Sequence, residues 1–187
     1  PEMLAKGLKA AEKIFRDAAK RRILTEAEAT AGFDRIKPVA EDVPLHRVDL
    51  VIEAAVEKLE LKQKIFRQLE ARTDAHTVLA TNTSALSIDA IASGLADPGR
   101  VVGIPFFNPV HRMQLVELVR GPRTSPAALD TALQFVKAIG KLPVLVKDSP
   151  GFLVNRILLP YMVESVRLFN EGCGVQQLDQ LMLDFGM

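Results

Sequence analysis

The side chains in this sequence that could hold a ligand or move a proton are few, and they fall in a pattern. Asn82-Thr83-Ser84 offers an amide and two hydroxyls in consecutive positions. Phe106-Phe107-Asn108-Pro109 offers a second amide beside a proline turn, and Glu57 a carboxylate at the close of an apolar run. Each of these alone also suits a helix cap or a turn. Glu117 is a sharper case, because it interrupts Leu115-Val116-Glu117-Leu118-Val119, which otherwise reads as a buried strand. A buried carboxylate needs a partner. The competing reading is a solvent-facing residue on an edge strand with period-two alternation. Leu115 and Val119 share its face and weigh against that, yet both readings stay open here. His46, His76 and His111 are the histidines, the side chains that titrate nearest neutrality. The first two fall in predicted loops.

These residues need elements to carry them. Pro1 to about Arg22 reads as a helix, with Pro1 in its first turn and apolar residues at three- and four-residue spacing. Lys20, Arg21 and Arg22 suit its carboxyl end, where cations meet the negative end of the macrodipole. A second helix is expected from Thr25 to about Ala31, with Thr25 and Glu28 as a capping box and Gly32 as its stop. Phe33 to Val43 reads as strand and loop. Val48 to Val56 is a nearly continuous apolar run, the mark of a strand buried on both faces. A helix follows from Glu57 to about Arg72, then a strand at Thr77–Thr81. A helix capped by Ser87 stops at Gly94, and a strand follows at Val101–Ile104. Strand, helix, strand, helix, strand implies right-handed crossovers and a parallel sheet. Leu115–Val119 is a further strand, Ser125-Pro126 starts a helix that stops at Gly140, and Leu142–Val146 is the last strand. After Asp148 the pattern becomes helical. Ser149-Pro150 reads as cap and first turn, Phe152–Asn170 as a helix kinked at Pro160, and Val175–Phe185 as another. The fold class is thus α/β, mainly parallel and Rossmann-like. The boundaries are 1–148 for the sheet domain and 149–187 for the beginning of an all-α domain.

In open parallel sheets, ligands bind beyond the carboxyl ends of the strands. Glu57, Asn82-Thr83-Ser84 and Asn108 would share that rim, and their coincidence brings the reading as a site level with that of separate caps. Asn155, near the start of the first late helix, either turns toward the cleft or faces solvent. The glycine-rich phosphate loop is absent. Gly172-Cys173-Gly174 follows no strand, has Gln177 in place of a third glycine, and reads as a helix end.

Composition narrows the classes. The chain has 187 residues, 48% of them apolar and 25% charged, with a net charge of +1. That balance offers no surface for nucleic acid and no polybasic membrane patch. No apolar run reaches the roughly 20 residues of a membrane span. Cys173 is the lone cysteine, so no internal disulfide forms and a reducing compartment is expected, the cytoplasm or, in a eukaryote, the mitochondrial matrix. The chain opens on Pro1 and reads as a piece of something longer.

Asn82-Thr83-Ser84, Phe106-Phe107-Asn108-Pro109-Val110, Leu115-Val116-Glu117-Leu118-Val119 and Asp148-Ser149-Pro150-Gly151-Phe152-Leu153-Val154-Asn155-Arg156 resemble the 3-hydroxyacyl-CoA dehydrogenase family in order and spacing. Val110-His111-Arg112-Met113 is more similar to the dehydrogenase part of multifunctional β-oxidation α-subunits than to the stand-alone enzyme. The resemblance implies NAD as cofactor and an L-3-hydroxyacyl-CoA as substrate. It also implies a homo-oligomer or a place in a multifunctional β-oxidation complex. The chain would be a fragment truncated at both ends, lacking the phosphate loop and the ribose carboxylate. Ala55, Val56, Glu57, Lys62, Ser84 and Asn108 would lie along the NAD site, with Asn82 close by. Ser84 and Asn155 would contact the hydroxyacyl group, and Glu117 would orient and charge a catalytic histidine.

That histidine would stand immediately before Phe106, where this sequence has Pro105. Proline can neither accept the hydroxyl proton nor donate to a ketone. His111 belongs to the resembling pattern in its own right and is not expected to substitute. The alternative is a non-catalytic module that binds acyl-CoA or NAD, or packs against enzymatic neighbours. Another two-domain β-hydroxyacid dehydrogenase is disfavoured, because those use a lysine where Asn155-Arg156 stands.

Overall fold

Local capping signals and burial patterns set most of the elements seen in the computed structural model, which describes residues 2–40 and 43–186. The chain divides into two units, Pro1–Pro44 and Leu45–Met187.

The first unit is a helical pair, α1 (Glu2–Lys20) and α2 (Glu26–Asp34). Pro1 lies outside the described residues. Helix α1 ends two residues earlier than expected, and Arg22 follows in the left-handed region at φ 58°. The capping box is present: the Thr25 hydroxyl accepts from the Glu28 amide, and the Glu28 carboxylate accepts from the Thr25 amide. Gly32 does not stop α2. A Cβ there would lie 2.4 Å from a Phe15 ring carbon, so glycine lets the two helices approach within the turn. Phe33 then packs edge-to-face on Phe15, centroids 6.4 Å apart. That contact extends the helix to Asp34, and no described residue between 33 and 43 is strand.

The second unit is built on five strands in the order β1-β2-β3-β4-β5: β1 (Leu50–Glu53), β2 (Val78–Thr81), β3 (Val101–Gly103), β4 (Leu115–Arg120) and β5 (Leu142–Lys147). β1, β2 and β3 run parallel, as do β4 and β5, while β3 and β4 are antiparallel. Strand β1 is shorter than the run at Val48–Val56. Its last side chain, Glu53, turns inward and accepts the Ala55 amide, which ends the ladder and starts a turn.

Alternate residues of each strand enter two apolar cores. Val78, Ala80, Val102, Ile104, Val116 and Leu118 pack with Ala128, Ala132 and Val136 of α5 (Pro126–Ala138). Leu79, Val101 and Val119 pack on the other face with Phe66, Ile88 and Ile91, which belong to α3 (Leu59–Arg72) and α4 (Ile88–Ala92). Ser87 and Ser125 cap α4 and α5 as expected, their hydroxyls accepting from Ala90 and Ala128.

Helices α6 (Val154–Asn170) and α7 (Val175–Phe185) follow the sheet, with Pro160 inside α6. Ser149-Pro150 is not the cap and first turn. Gly151 and Phe152 adopt positive φ, 72° and 48°, and the helix begins only at Val154. Its first amides are satisfied from β4, as described below. Among the described residues no helix is long and apolar enough to cross a membrane.

Candidate active site

Everything at the carboxyl rim starts from the ends of β1, β2 and β3. Beyond Glu53 the chain turns through Ala54–Glu57, and Ala55, Val56 and Glu57 are exposed. Glu57 reaches to the loop after β2, accepting from the Thr83 hydroxyl and, at 3.0 Å, from the Ser84 amide. Partial burial raises the Glu57 pKa. The Thr83 and Ser84 hydrogen bonds and the nearby Lys62 ammonium outweigh it, so the carboxyl sits below its usual range. Asn82 uses its side chain structurally: its Oδ1 accepts from the Phe106 amide at 2.8 Å, joining the β2 loop to the segment after β3.

Glu117 settles into the buried reading. It sits on β4, inside the sheet, at 3% exposure, on the face shared with Val119. The partner it needs is the start of α6: its Oε1 accepts from the Leu153 amide at 2.8 Å and the Val154 amide at 2.9 Å. These are donors that a helix start leaves unsatisfied. Asn155, one residue on, turns toward the rim and donates from Nδ2 to the Ser84 carbonyl at 3.1 Å.

Pro105 falls inside this ring. Gly103 pairs with Val119 and Phe106 bridges to Val116 across the antiparallel ladder. That register sets Pro105 opposite Glu117, and both are buried. Opposed side chains in such a ladder have Cβ atoms about 4.5–5.5 Å apart. An imidazole at position 105 would therefore stand against the Glu117 carboxylate. In its absence two backbone amides occupy Glu117.

Asn108 is exposed on the loop after Phe106, and among the described residues its side chain makes no hydrogen bond. The Asn108–Pro109 peptide is cis. Lys141 ties the same loop down, donating to the Val110 carbonyl at 2.5 Å and the Met113 carbonyl at 2.7 Å. His111 is exposed in that loop, and His46 pairs with Asp74 at 3.2 Å. Among the described residues, none of the three histidines hydrogen-bonds a rim residue.

Lys62 is the residue whose surroundings differ most from expectation. Its side chain has no exposure, and its ammonium donates to both oxygens of Glu53, at 2.9 Å each, and to the Ala55 carbonyl at 3.3 Å. Glu53 and Thr81, which complete this cluster, were not singled out from sequence. The spacing of Lys62 and Phe66 held the signal: four residues apart on a helix, they share its inward face. Asp148 was also missed as a site support. Its Oδ2 accepts from the Ser87 hydroxyl at 2.8 Å and the Asp89 amide at 3.0 Å, holding the start of α4.

A cavity of about 680 Å³ lies elsewhere, lined by Asp49, His76, Val78, Arg100 and one side of α5. Those strand residues precede or open β1, β2 and β3, so the cavity is at the amino ends of the strands. It shares no residue with the rim. Among the described residues no cluster of His, Cys, Asp or Glu could hold a metal.

Residues 1–149 match the family model for the 3-hydroxyacyl-CoA dehydrogenase NAD binding domain, and residues 151–187 match that for the 3-hydroxyacyl-CoA dehydrogenase C-terminal domain. The fatty acid oxidation complex subunit alpha of Pseudomonas savastanoi pv. phaseolicola is 40% identical over 185 residues, 99% of this chain and 26% of that one. Its Acinetobacter baylyi counterpart is 39% identical over 183 residues, 98% of this chain and 26% of that one. The chain thus spans about a quarter of the length of these relatives. A crystal structure of 3-hydroxybutyryl-CoA dehydrogenase from Escherichia coli superposes with a TM-score of 0.89 at 37% identity, covering 93% of this chain and 37% of that one. The (S)-3-hydroxybutyryl-CoA dehydrogenase from Ralstonia eutropha superposes at 0.86 and 38%, covering 91% and 60%. With a Rossmann-like sheet, a rim joined through Glu57, Ser84, Asn155 and Glu117, and both domain models matched in sequence, the chain belongs to the 3-hydroxyacyl-CoA dehydrogenase family.

Proposed function

We propose that this chain supplies the nicotinamide end of an NAD site and the adjoining 3-hydroxyacyl-CoA site, with proton transfer suppressed by Pro105. The observation that carries the reading is the register opposing Pro105 to Glu117. The side chains fit the cofactor's nicotinamide end: Ser84 is exposed beside the Glu57 carboxylate, and Asn108 is exposed on the loop after Phe106. Ala55 and Val56 extend that surface along the turn after β1. Bound NAD would supply the hydride acceptor for oxidation of an L-3-hydroxyacyl-CoA to the 3-oxoacyl-CoA.

The chain's own residues do the rest. Asn155 and Ser84, already bonded to each other, present their remaining polar atoms to the hydroxyacyl group. Asn82 serves by fixing the segment at Phe106, and Lys62 by fixing the turn at Ala55. Glu117 would hold and charge an imidazole at position 105; with proline there, no side chain at that position receives the hydroxyl proton. General acid–base groups contribute about 10²–10⁴-fold, so turnover should be reduced on that scale.

We further propose a division at 1–148 and 149–187, and a place for the chain within a larger fatty-acid oxidation protein in a reducing, cytoplasmic setting. That protein would be a homo-oligomer or part of a complex. A second reading is a non-catalytic module that only binds acyl-CoA or NAD, or acts structurally. It is favoured by the satisfaction of Glu117 without any imidazole.

The test is NADH-dependent reduction of acetoacetyl-CoA by the full-length protein and by its Pro105→His variant. The proposed function expects a gain of about 10²–10⁴-fold in turnover on restoring histidine. No gain, with NADH binding intact, favours the module.

A further inference from the structure

Between the buried Thr83 and the Ser87 cap of α4 the chain has only Ser84, Ala85 and Leu86. The Ser84 hydroxyl makes no hydrogen bond among the described residues, so its place depends on the backbone that carries it. That backbone is held at both ends. On the β2 side, Thr83 Oγ1 donates to Glu57 and accepts from the Leu86 amide at 3.0 Å, while Asn155 binds the Ser84 carbonyl at 3.1 Å. On the α4 side, Asp148 Oδ2 accepts from the Ser87 hydroxyl at 2.8 Å and from the Asp89 amide at 3.0 Å.

Capping alone does not call for Asp148. Ser87 already caps α4 by accepting from the Ala90 amide at 3.2 Å. What the carboxylate adds is a tie to a distant and firmly seated piece of chain. The Asp148 amide donates to the Arg120 carbonyl at 3.0 Å, at the end of the β4–β5 ladder. Phe152, further along the same linker, is 3% exposed and packs in the core cluster that holds Ile88. Ile88 itself rests on glycine, since a Cβ at Gly103 would lie 2.7 Å from its Cδ1 and one at Gly121 3.2 Å from its Cγ2. Apolar packing thus fixes how deep α4 lies on the sheet. The two hydrogen bonds to Asp148 fix how the short loop enters it.

We infer that Asp148 is a positioning residue for the hydroxyacyl site, acting through Ser87 and the Asp89 amide to set the place of Ser84, without touching substrate. The inference rests on reading Ser84 and Asn155 as contacts of the hydroxyacyl group.

The test uses the full-length protein, with acetoacetyl-CoA and CoA as probes in calorimetric titrations. CoA lacks the acyl group, so the ratio of the two dissociation constants isolates recognition of that group. Ser84→Ala sets the scale: it should lower the preference for acetoacetyl-CoA about 3- to 10-fold, the worth of one neutral hydrogen bond. Asp148→Ala should lower it by a comparable factor, with CoA affinity unchanged. Amide exchange should be faster at Leu86 and Asp89 and unchanged at Leu79. Because Asp148 acts through Ser84, adding Asp148→Ala to Ser84→Ala should lower the preference no further. An unchanged preference in Asp148→Ala overturns the inference. So does full additivity in the double variant, or an equal loss for both probes, since either makes Asp148 a general support of the fold. If Asp148→Ala does not fold, Ser87→Ala replaces it, removing one of the two donors; a preference equal to the parent's then overturns the inference. If Ser84→Ala leaves the preference unchanged, the failure is a different one: Ser84 is no hydroxyacyl contact, and the inference falls with that reading.

Discussion

Replacing Glu117 by alanine removes a carboxylate oxygen that two amides share, at 2.8 and 2.9 Å, at the start of α6. Hydrogen bonds to a charged group contribute about 1.5–3 kcal/mol. Here both converge on one oxygen, so the pair is worth less than twice that figure. Alanine also leaves the two donors and a void beneath them. The combined cost is about 2–4 kcal/mol. Glu117→Gln is the informative control. Its amide oxygen can still accept, and what disappears is a negative charge near a helix amino end, worth about 0.3–1 kcal/mol at exposed sites and up to ~2 where partly buried. The two variants should therefore differ by about 2 kcal/mol. Because every 1.4 kcal/mol is a factor of ten, amide exchange at Leu153 and Val154 should be on the order of 30-fold faster in alanine than in glutamine. The assay is exchange resolved by mass spectrometry on the full-length protein, with Leu79 as a reference that should not move. Exchange in Glu117→Ala within a factor of about two of the parent would refute the cap. Glutamine as damaging as alanine would show that charge, not the acceptor, is what the helix start requires.

Two further outcomes follow from the same geometry. The Glu57 carboxyl is held below its usual range, so protons bind it less readily in the folded chain. Its contribution to stability should be complete above the unfolded carboxyl pKa of roughly 4.3 and fade as pH falls through the lower folded value. The stability difference between the parent and Glu57→Gln should therefore shrink on acidification; a difference that grows toward low pH would contradict the assigned direction. Gly103→Ala places a Cβ 2.7 Å from Val119 Cβ and 2.7 Å from Ile88 Cδ1. Overpacking of this kind costs about 1–3 kcal/mol, read as a lower urea midpoint with an unchanged slope.

The parts of the fold that could be read from sequence are those decided within a few residues. Thr25 with Glu28, Ser87 and Ser125 each cap the helix that follows, because a hydroxyl and an amide three residues on meet without outside help. The errors arise where a distant group intervenes. Ser149-Pro150 carries the signature of a helix start, yet α6 begins at Val154 because its free amides are met by Glu117, 36 residues upstream of Leu153. The run from Val48 to Val56 reads as strand throughout, yet β1 stops at Glu53 because Lys62 and Thr81 draw that carboxylate inward. Gly32 reads as a stop, and only the ring of Phe15 explains its place within α2. At the site, polar residues at strand ends pointed to the rim. The opposition of Pro105 and Glu117 depends on the register of two antiparallel strands, which no local pattern encodes. Its significance came from family resemblance.

That opposition has a genetic side. The direction of the side chain at position 105 is set by the ladder with β4, so whatever residue stands there faces Glu117. A proline codon ending in a pyrimidine becomes a histidine codon through substitution of its middle base alone. Under the proposed function, one mutational step would separate a silent form of the gene from a reactive one.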